Sequence, residues 1–250
     1  MPAMLPAPAW PIVAILPAKG HVAAMPSIIT QRLSEMTATE FRQYAHAHLS
    51  ETPSEAIFDP RTGRSWGRSD FDLNPDFLTD LALMDPPRPA AVLVPIIARA
   101  QLSVLLTVRA ERLPTHAGQI AFPGGKVEGT DAGATAAALR EAYEEVGLEA
   151  QYIEPLGYLD SYRSGTGFHI MPLVALIDPH FVLTPDPSEV ADTFEVPLAF
   201  LMDEANHHKH TREWKGGRLR HHYAMPFGDR YIWGATAGII KNLHERMLAE

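Results

Sequence analysis

Apolar and polar residues alternate along the chain in segments whose lengths suit strands and helices. Two continuous apolar runs, residues 90–98 and 102–110, are separated by a short polar break and predict neighbouring buried strands. Residues 37–49 carry threonines before a helical spacing of apolar side chains, which predicts a helix. Residues 76–84 predict a shorter helix, and an apolar stripe over residues 232–248 predicts another.

Further strand signals follow at residues 152–162 and 169–177, and residues 190–203 combine strand and short-helix signals. Residues 210–225 form two alternating arms around Gly216 and Gly217, a pattern typical of a hairpin. Strands, a helix, more strands and a terminal helix together predict an α/β (α+β) fold, in which helices pack on a sheet.

The segment from residue 121 to residue 147, AFPGGKVEGTDAGATAAALREAYEEVG, predicts a turn followed by an acidic helix. Glu141, Glu144 and Glu145 are spaced i, i+3 and i+4, so the three carboxylates are expected to share one helix face. The residues expected on the opposite, buried face are Leu139, Ala142, Tyr143 and Val146. Like charges at i,i+4 destabilise a helix by roughly 0.2–0.5 kcal/mol per pair, so this acidic face requires an explanation.

A divalent cation would explain the acidic face, because Mg²⁺ takes oxygen ligands and is shared with substrate phosphates. Arg140 precedes Glu144 by four residues and can orient it through an ion pair. Upstream, Gly124 and Gly125 predict a sharp turn that lets the backbone approach a phosphate closely. Together these residues suit metal-assisted attack of water on a diphosphate. The ordinary alternative is a solvated acidic face without a ligand, which a bare ExxEE pattern usually indicates.

Composition limits the remaining classes of function. A length of 250 residues allows one sizeable core with an appendage. The net charge of -9 argues against nucleic-acid binding, which needs a basic surface. The chain has no cysteine, which excludes disulfides, thiolate metal sites and a cysteine nucleophile. The proline-broken apolar N-terminus has no basic leader, and no apolar run reaches the roughly 18 residues of a membrane helix, so we expect a cytoplasmic protein without membrane contact.

Several histidines fall on the predicted hairpin and raise the question of a second metal site. They are His207, His208, His210, His221 and His222. Because no acidic residue stands at an evident zinc spacing, exposed hairpin histidines are the more ordinary interpretation.

The motif around the acidic helix resembles the Nudix box, which runs Gly, five residues, Glu, seven residues, then Arg-Glu-hydrophobic-x-Glu-Glu-x-Gly-hydrophobic. Residues 140–148, REAYEEVGL, match its second half at every fixed position. Counting from Gly125, Asp131 stands where glutamate is expected, and eight residues rather than seven precede Arg140. Asp131 is expected to cap the helix or to orient a ligand. The resemblance implies a Nudix-type α/β/α sandwich with a mixed sheet, and a diphosphatase that hydrolyses phosphoanhydride bonds.

The stretch before the box is similar to the signature of the coenzyme A diphosphatase branch of this family. Residues 105–125 contain Leu-Leu-Thr-x-Arg and His-x-Gly-Gln leading into Phe-Pro-Gly-Gly, and the similarity extends over residues 88–245. One position departs from the branch, since Pro114 stands where arginine is usual and Arg112 lies two residues earlier. The resemblance implies cleavage of coenzyme A or acyl-coenzyme A into a 4′-phosphopantetheine species and adenosine 3′,5′-bisphosphate.

The resemblance also implies roles for individual residues. The expected ligands of Mg²⁺ or Mn²⁺ are Glu141, Glu144, Glu145 and the Gly125 carbonyl. Arg140 is expected to hold a glutamate in place, and the general base stays open between Glu141 and Glu189. The expected substrate contacts are Arg109, His116, Gln119, Gly124 and Gly125. Outside that signature, Arg109 would be read as a solvated strand-end residue and His116 as a structural one.

Two other functions stay open at this point. One is hydrolysis of another nucleoside diphosphate derivative, such as ADP-ribose, because a fold does not name its substrate. The other is a ligand sensor without catalysis, which loss of helix glutamates would indicate; this chain keeps all three.

The expected domain organisation has three parts. Residues 1–36 are expected to be a disordered or loosely docked extension, residues 37–87 a small helical and turn-rich segment, and residues 88–250 the hydrolase domain. The N-terminal residues either cover the site, mediate a homodimer or have neither role.

Overall fold

The computed structural model describes residues 35–54, 68–77, 86–213 and 217–247. Nearly all of the N-terminal extension therefore lies outside the described residues, as does most of the helix expected at residues 76–84. The first residues of that helix belong instead to a single 3₁₀ turn, Pro75–Phe77.

The described residues form a nine-stranded mixed sheet, a three-stranded antiparallel sheet and four α-helices. The strands of the large sheet are β1 (Arg68–Ser69), β2 (Arg88–Ile97), β3 (Ser103–Arg109), β4 (Ile120–Ala121), β5 (Gly124–Lys126), β6 (Ile153–Tyr158), β7 (Tyr162–Arg163), β8 (Phe168–Ile177) and β9 (Val190–Pro197). The strands of the small sheet are β10 (His208–Glu213), β11 (Leu219–Phe227) and β12 (Arg230–Trp233). The helices are α1 (Ala38–His48), α2 (Ala134–Val146), α3 (Leu198–Leu201) and α4 (Ala235–Met247).

Strand β2 lies at the centre of the large sheet and is buried over most of its length, as its continuous apolar sequence predicts. It pairs in parallel with β8 along its whole length and antiparallel with β5 near its start. The expected pairing of the two apolar runs is confirmed only beside their connecting turn, where Ile96 faces Val104 and Ile97 faces Ser103. Beyond that turn the same edge of β3 pairs with β4, since β5 takes the place beside the first half of β2, and β9 pairs along the whole of the other edge of β3.

Helices cover both faces of the large sheet, which confirms the α/β/α sandwich. One face packs Leu93 and Leu173 against Ala138 and other small residues of α2. The other face packs Val94 in one core with Phe41 of α1 and with residues of α4. Helix α1 begins as predicted, because Thr37 caps it by accepting a hydrogen bond from the Glu40 N–H.

The C-terminal elements differ from the sequence prediction at one boundary. The predicted hairpin is confirmed as β10 and β11, but a third strand, β12, occupies the first residues assigned to the last helix. Helix α4 therefore begins at Ala235 rather than at residue 232, after a turn in which Gly234 has φ +65. None of the helices in the described part of the chain has the length and apolar character that crossing a bilayer requires.

Candidate active site

Two glycines bring the backbone of β5 against the carboxylates of α2. Gly124 pairs with Val92 of β2, and a β-carbon at Gly124 would overlap the β2 backbone. The Gly124 N–H donates a hydrogen bond to Oε2 of Glu145 at 3.1 Å. A β-carbon at Gly125 would overlap the carboxylate of Glu141. The turn therefore requires glycine at position 124, where a β-carbon would displace the backbone of β2, whereas a β-carbon at position 125 would displace only the Glu141 carboxylate.

The buried stripe predicted for α2 is confirmed at Ala142 and Val146 but is wrong at Tyr143, and Glu145 is buried instead of sharing an exposed face with Glu144. Glu145 is 4% exposed, whereas Tyr143, which was expected in the buried stripe, is 60% exposed. The buried residues of the helix follow a line of small side chains, namely Ala134, Ala137, Ala138, Ala142, Glu145 and Val146. Glu141 lies three residues after Ala138 and Glu145 lies three after Ala142, so both carboxylates continue this line. The alanine spacing is the signal that could have predicted their direction.

Arg140 connects the acidic helix to the loop that precedes it. Its Nε and Nη2 donate to the two carboxylate oxygens of Asp131, each at 3.0 Å. Its Nη1 donates to Glu141 at 3.0 Å and to Glu144 at 2.8 Å. The hydrogen bonds from Arg140 are the first cause that lowers the pKa of Asp131. Asp131 does not cap the helix, because the cap position is Gly133; it holds Arg140 instead.

Burial opposes the ionisation of two carboxyl groups in the site. It raises the pKa of Glu145 to about 7, and the charges of Glu141 and Glu189 act in the same direction. The N–H of the glycine turn and Arg109 oppose this shift, with Arg109 Nη1 lying 3.7 Å from Glu145 Oε1. Burial also raises the pKa of Glu141. Positive charge placed beside these groups would therefore favour their ionised forms.

The loop between β3 and β4 brings the expected substrate contacts to the same place. His116 adopts φ 59, and its Nδ1 lies 2.8 Å from Oε1 of Gln119. The N–H of Arg109 donates to the Gln119 carbonyl at 3.0 Å, which closes the base of the loop. The Glu189 carbonyl accepts from the N–H of Ala110 at 2.8 Å. His116, Gln119, Arg109 and Glu189 all line one cleft with the carboxylates of α2.

This cleft has a volume of about 840 Å³ and a far wall that the sequence did not predict. The wall combines the small sheet, the start of α4 and residues 68–73. Its polar and aromatic side chains include Asp70, Arg212, Arg220, His222 and Trp233. The alternation of Arg220 and His222 along β11 could have indicated their common face. Their position opposite the glutamates depends on how the small sheet packs, which the sequence pattern does not specify.

The donors around the glycine turn fit a hard divalent cation in kind. They are carboxylate and carbonyl oxygens, which Mg²⁺ and Mn²⁺ accept, and burial of Glu141 and Glu145 makes a nearby cation favourable. Within the described residues, no three acidic or histidine side chains stand close enough together to hold a metal ion. The carboxylate of Glu144 accepts a hydrogen bond from Arg140, whereas the carboxylate of Glu145 accepts one from the Gly124 N–H. The site thus contains oxygen donors suited to a divalent cation, but in this arrangement they do not surround one common point.

The hairpin histidines make ordinary contacts. His210 Nδ1 lies 2.6 Å from the hydroxyl of Tyr231, and His222 Nε2 lies 3.3 Å from the same oxygen. His221 Nδ1 lies 2.8 Å from the hydroxyl of Thr211. These contacts give each of the three rings a role within the small sheet.

A mixed sheet between helices, with a Gly–Gly turn set against an Arg-Glu-x-x-Glu-Glu helix, is the arrangement expected of a hydrolase of phosphoanhydride bonds. The chain belongs to the Nudix family, since the NUDIX domain model matches residues 87–215. It is a Nudix hydrolase, a pyrophosphatase that acts on nucleoside diphosphate derivatives, and enzymes of this family generally use divalent cations such as Mg²⁺ or Mn²⁺. The family expected from the box is thereby confirmed.

Relatives of known sequence support the same assignment. The uncharacterized Nudix hydrolase NudL of Citrobacter koseri is 40% identical over 176 residues, which cover 67% of this chain and 91% of the relative. The uncharacterized Nudix hydrolase NudL of Escherichia coli K12 is 41% identical over 176 residues, with the same coverage of 67% and 91%.

The solved structures to which the chain is similar are more distant. The NUDIX domain of Shewanella oneidensis NrtR, complexed with ADP ribose, gives a TM-score of 0.43 at 19% identity, covering 70% of this chain and 98% of that one. A binary complex of the C. elegans Ap4A hydrolase gives a TM-score of 0.39 at 19% identity, covering 44% and 80%. The family assignment rests on the sequence matches.

Proposed function

We propose that this hydrolase cleaves the diphosphate linkage of coenzyme A or an acyl-coenzyme A, giving a 4′-phosphopantetheine species and adenosine 3′,5′-bisphosphate. The observation that carries the proposal is the position of the signature residues before the box. His116 and Gln119 contact each other at 2.8 Å and, with Arg109, line the cleft that contains the α2 carboxylates. Residues shared with the coenzyme A branch therefore lie beside the groups that would cleave the bond.

The size of the cleft also supports a substrate with two separate ends. A volume of about 840 Å³ lies in the upper part of the range for small-molecule sites, roughly 300–1,000 Å³. Its lining continues from the glutamates to the aromatic and basic side chains of the small sheet. A diphosphate bound at the glycine turn would leave room on both sides for the groups it joins.

In the proposed reaction, a water oxygen forms a bond to one phosphorus of the diphosphate. The bond from that phosphorus to the bridging oxygen breaks, and the bridging oxygen leaves with the other phosphate. The proton released by the water passes to a carboxylate base, for which Glu141 and Glu189 are the candidates because both line the cleft. Mg²⁺ or Mn²⁺ bound at this site would neutralise negative charge on the diphosphate and make the attacking water easier to deprotonate.

Each candidate residue has a proposed task in this reaction. The proposed cation ligands are Glu141, Glu144, Glu145 and the Gly125 carbonyl. Arg140, held by Asp131, donates a hydrogen bond to Glu144 and would orient this proposed cation ligand. The proposed contacts to the substrate are Arg109, His116, Gln119, Gly124 and Gly125.

Product analysis tests the proposal. The protein is incubated with Mg²⁺ and, in parallel, with coenzyme A, ADP-ribose and a dinucleoside polyphosphate, with Glu144→Gln as the control. Adenosine 3′,5′-bisphosphate from coenzyme A, absent in the control, is the expected result, and it would show that Pro114 is tolerated in place of arginine. Cleavage of the other substrates alone would replace coenzyme A by another nucleoside diphosphate derivative. No turnover with any metal would favour the ligand sensor.

A further inference from the structure

The small sheet presents two directly paired arginines in the cleft that the carboxylates of α2 also line. In the register of β10 and β11, Arg212 pairs with Arg220 and His210 pairs with His222. Side chains of directly paired residues lie on the same face, so these four residues share one face of the hairpin. Trp233 of β12 lies on the same face. It pairs with Ala224, which stands two residues after His222 on β11 and therefore shares its face. Like charges directly opposite each other destabilise a hairpin, so this pairing requires an explanation.

Burial and neighbouring positive charges both act against cations on this face. Burial, followed by the charge of Arg220, lowers the pKa of Arg212. Burial, followed by Arg212, lowers the pKa of His222 to about 4. Both groups therefore stand in surroundings that disfavour positive charge.

One carboxylate, Asp70, opposes this repulsion and is already engaged by several donors. Its Oδ2 lies 2.9 Å from Nη2 of Arg220 and accepts from the N–H of Gly165 at 2.7 Å. Its Oδ1 accepts from the hydroxyl of Tyr162 at 2.7 Å. Asp70 therefore fixes the position of Arg220 at the cleft wall while its charge is divided among several partners.

We propose that the face formed by Arg212, Arg220 and Trp233 binds a phosphomonoester group of the substrate, separate from the diphosphate that is cleaved. Guanidinium groups bind phosphate oxygens through paired hydrogen bonds, and a bound anion relieves the repulsion between two opposed arginines. The guanidinium of Arg212 lies over the Trp233 ring at 4.9 Å, which orients it along the wall. The same cleft joins this face to the glutamates, so one substrate reaches both.

This inference rests on the proposed function in one respect, the identity of the substrate. In coenzyme A the second phosphate is the 3′-phosphate of the adenosine, which a simple nucleoside diphosphate derivative lacks. The face would thus select coenzyme A over substrates of the ADP-ribose type by an attraction that the glycine turn cannot provide.

The test is calorimetric binding of two nucleotides to the full chain with EDTA present, so that no metal and no turnover contribute. The probes are adenosine 3′,5′-bisphosphate and adenosine 5′-monophosphate, which differ by the 3′-phosphate alone. The wild type is expected to bind the bisphosphate at least about tenfold more tightly than the monophosphate, because one charge-assisted hydrogen bond contributes enough free energy for that ratio. Arg212→Gln should remove most of this ratio, and Arg212→Lys should keep part of it.

Lys209→Gln is the matched control, because it removes a positive charge from the same strand on the opposite face, where Lys209 pairs with Tyr223. The control should leave the ratio unchanged. Arg220→Lys is a second test variant, in which Asp70 keeps a cationic partner. It should lower the ratio of the two nucleotide affinities while the native circular dichroism spectrum is retained. Added salt should reduce the wild-type ratio.

Failure of the inference and failure of the proposed function give different results. Equal affinity for the two nucleotides, absence of binding, or a ratio that Arg212→Gln and Lys209→Gln change alike would overturn the phosphomonoester site. None of these outcomes depends on hydrolysis. Absence of coenzyme A hydrolysis, with the ratio present and sensitive to Arg212, would overturn the proposed reaction and leave the site standing.

Discussion

Replacement of Gly125 by alanine isolates the contact between the glycine turn and the acidic helix. The new β-carbon would overlap the carboxylate of Glu141, and the atoms it meets are the far end of a flexible side chain. We therefore expect Glu141 to move aside while the turn keeps its fold. Because Glu141 is a proposed cation ligand and a candidate base, its displacement should reduce catalysis far more than stability.

The size of the effect follows from the geometry. A misplacement of about 1 Å at a catalytic group can cost on the order of 100-fold in rate, which corresponds to about 2.7 kcal/mol of transition-state stabilisation. A glycine-to-alanine change at a backbone conformation that alanine can adopt alters stability by about 1 kcal/mol or less. We expect kcat to fall about 100-fold and Mn²⁺ to bind more weakly, while Tm changes by a few degrees.

The assay compares Gly125→Ala with Gly129→Ala, a matched change in the same loop. A β-carbon at Gly129 would meet no atom within 4 Å, so activity and Mn²⁺ affinity should stay at the wild-type level. Hydrolysis, Mn²⁺ titration and thermal unfolding are measured on all three proteins. Wild-type activity in Gly125→Ala, or an equal loss in both variants, would refute the reasoning that the glycine makes room for Glu141.

Three further predictions follow from the same site. In the metal-free protein, Glu145 keeps its proton up to about pH 7 when the chain is folded, whereas the unfolded chain releases this proton near pH 4.5. The contribution of Glu145 to the free energy of unfolding is therefore full below pH 4.5 and falls by about 3 kcal/mol as the pH rises through 7. Glu145→Gln should remove that decline in urea titrations at pH 5 and pH 8. Asp131→Asn should lower kcat about tenfold or more, because it weakens the charged pair that holds Arg140, and Asp131→Glu should retain more activity. EDTA should abolish hydrolysis, and Mg²⁺ or Mn²⁺ should restore it, with no change in the far-ultraviolet circular dichroism spectrum.

Each of these predictions has a result that would contradict it. Parallel pH profiles for wild type and Glu145→Gln would show that Glu145 does not titrate near neutrality. Equal activity of Asp131→Asn and wild type would show that Arg140 needs no partner in the loop. Hydrolysis that persists in EDTA would exclude a role for the cation.

The sequence predicted the fold where hydrophobic pattern alone decides it. The apolar run at β2 predicted a buried strand, and the capped helix at Thr37 and the hairpin of β10 and β11 each carry a local signal. The third strand, β12, was missed because it is short and runs directly into the apolar stripe of α4. Its pairing with β11 is a tertiary preference that local spacing does not contain.

The candidate site was predicted in its residues more than in its geometry. The motif identified Glu141 and Glu145, but the sequence prediction put Tyr143 in the buried stripe, where the structure has Glu145. The small side chains of α2 decide its orientation, because they allow the helix to approach the sheet closely. The arginines of the small sheet had no motif to mark them, and only the packing of that sheet brings them into the cleft.

The central claim is that water attacks a diphosphate held at the glycine turn, and oxygen labelling tests it most directly. The wild type is incubated with coenzyme A and Mg²⁺ in ¹⁸O-labelled water, and the masses of both products are measured by mass spectrometry. Glu144→Gln is treated in the same way as the control. We expect a 4′-phosphopantetheine species and adenosine 3′,5′-bisphosphate, with one ¹⁸O atom in one of them and no products from the variant. Absence of these products, or a label found outside their phosphates, would contradict it.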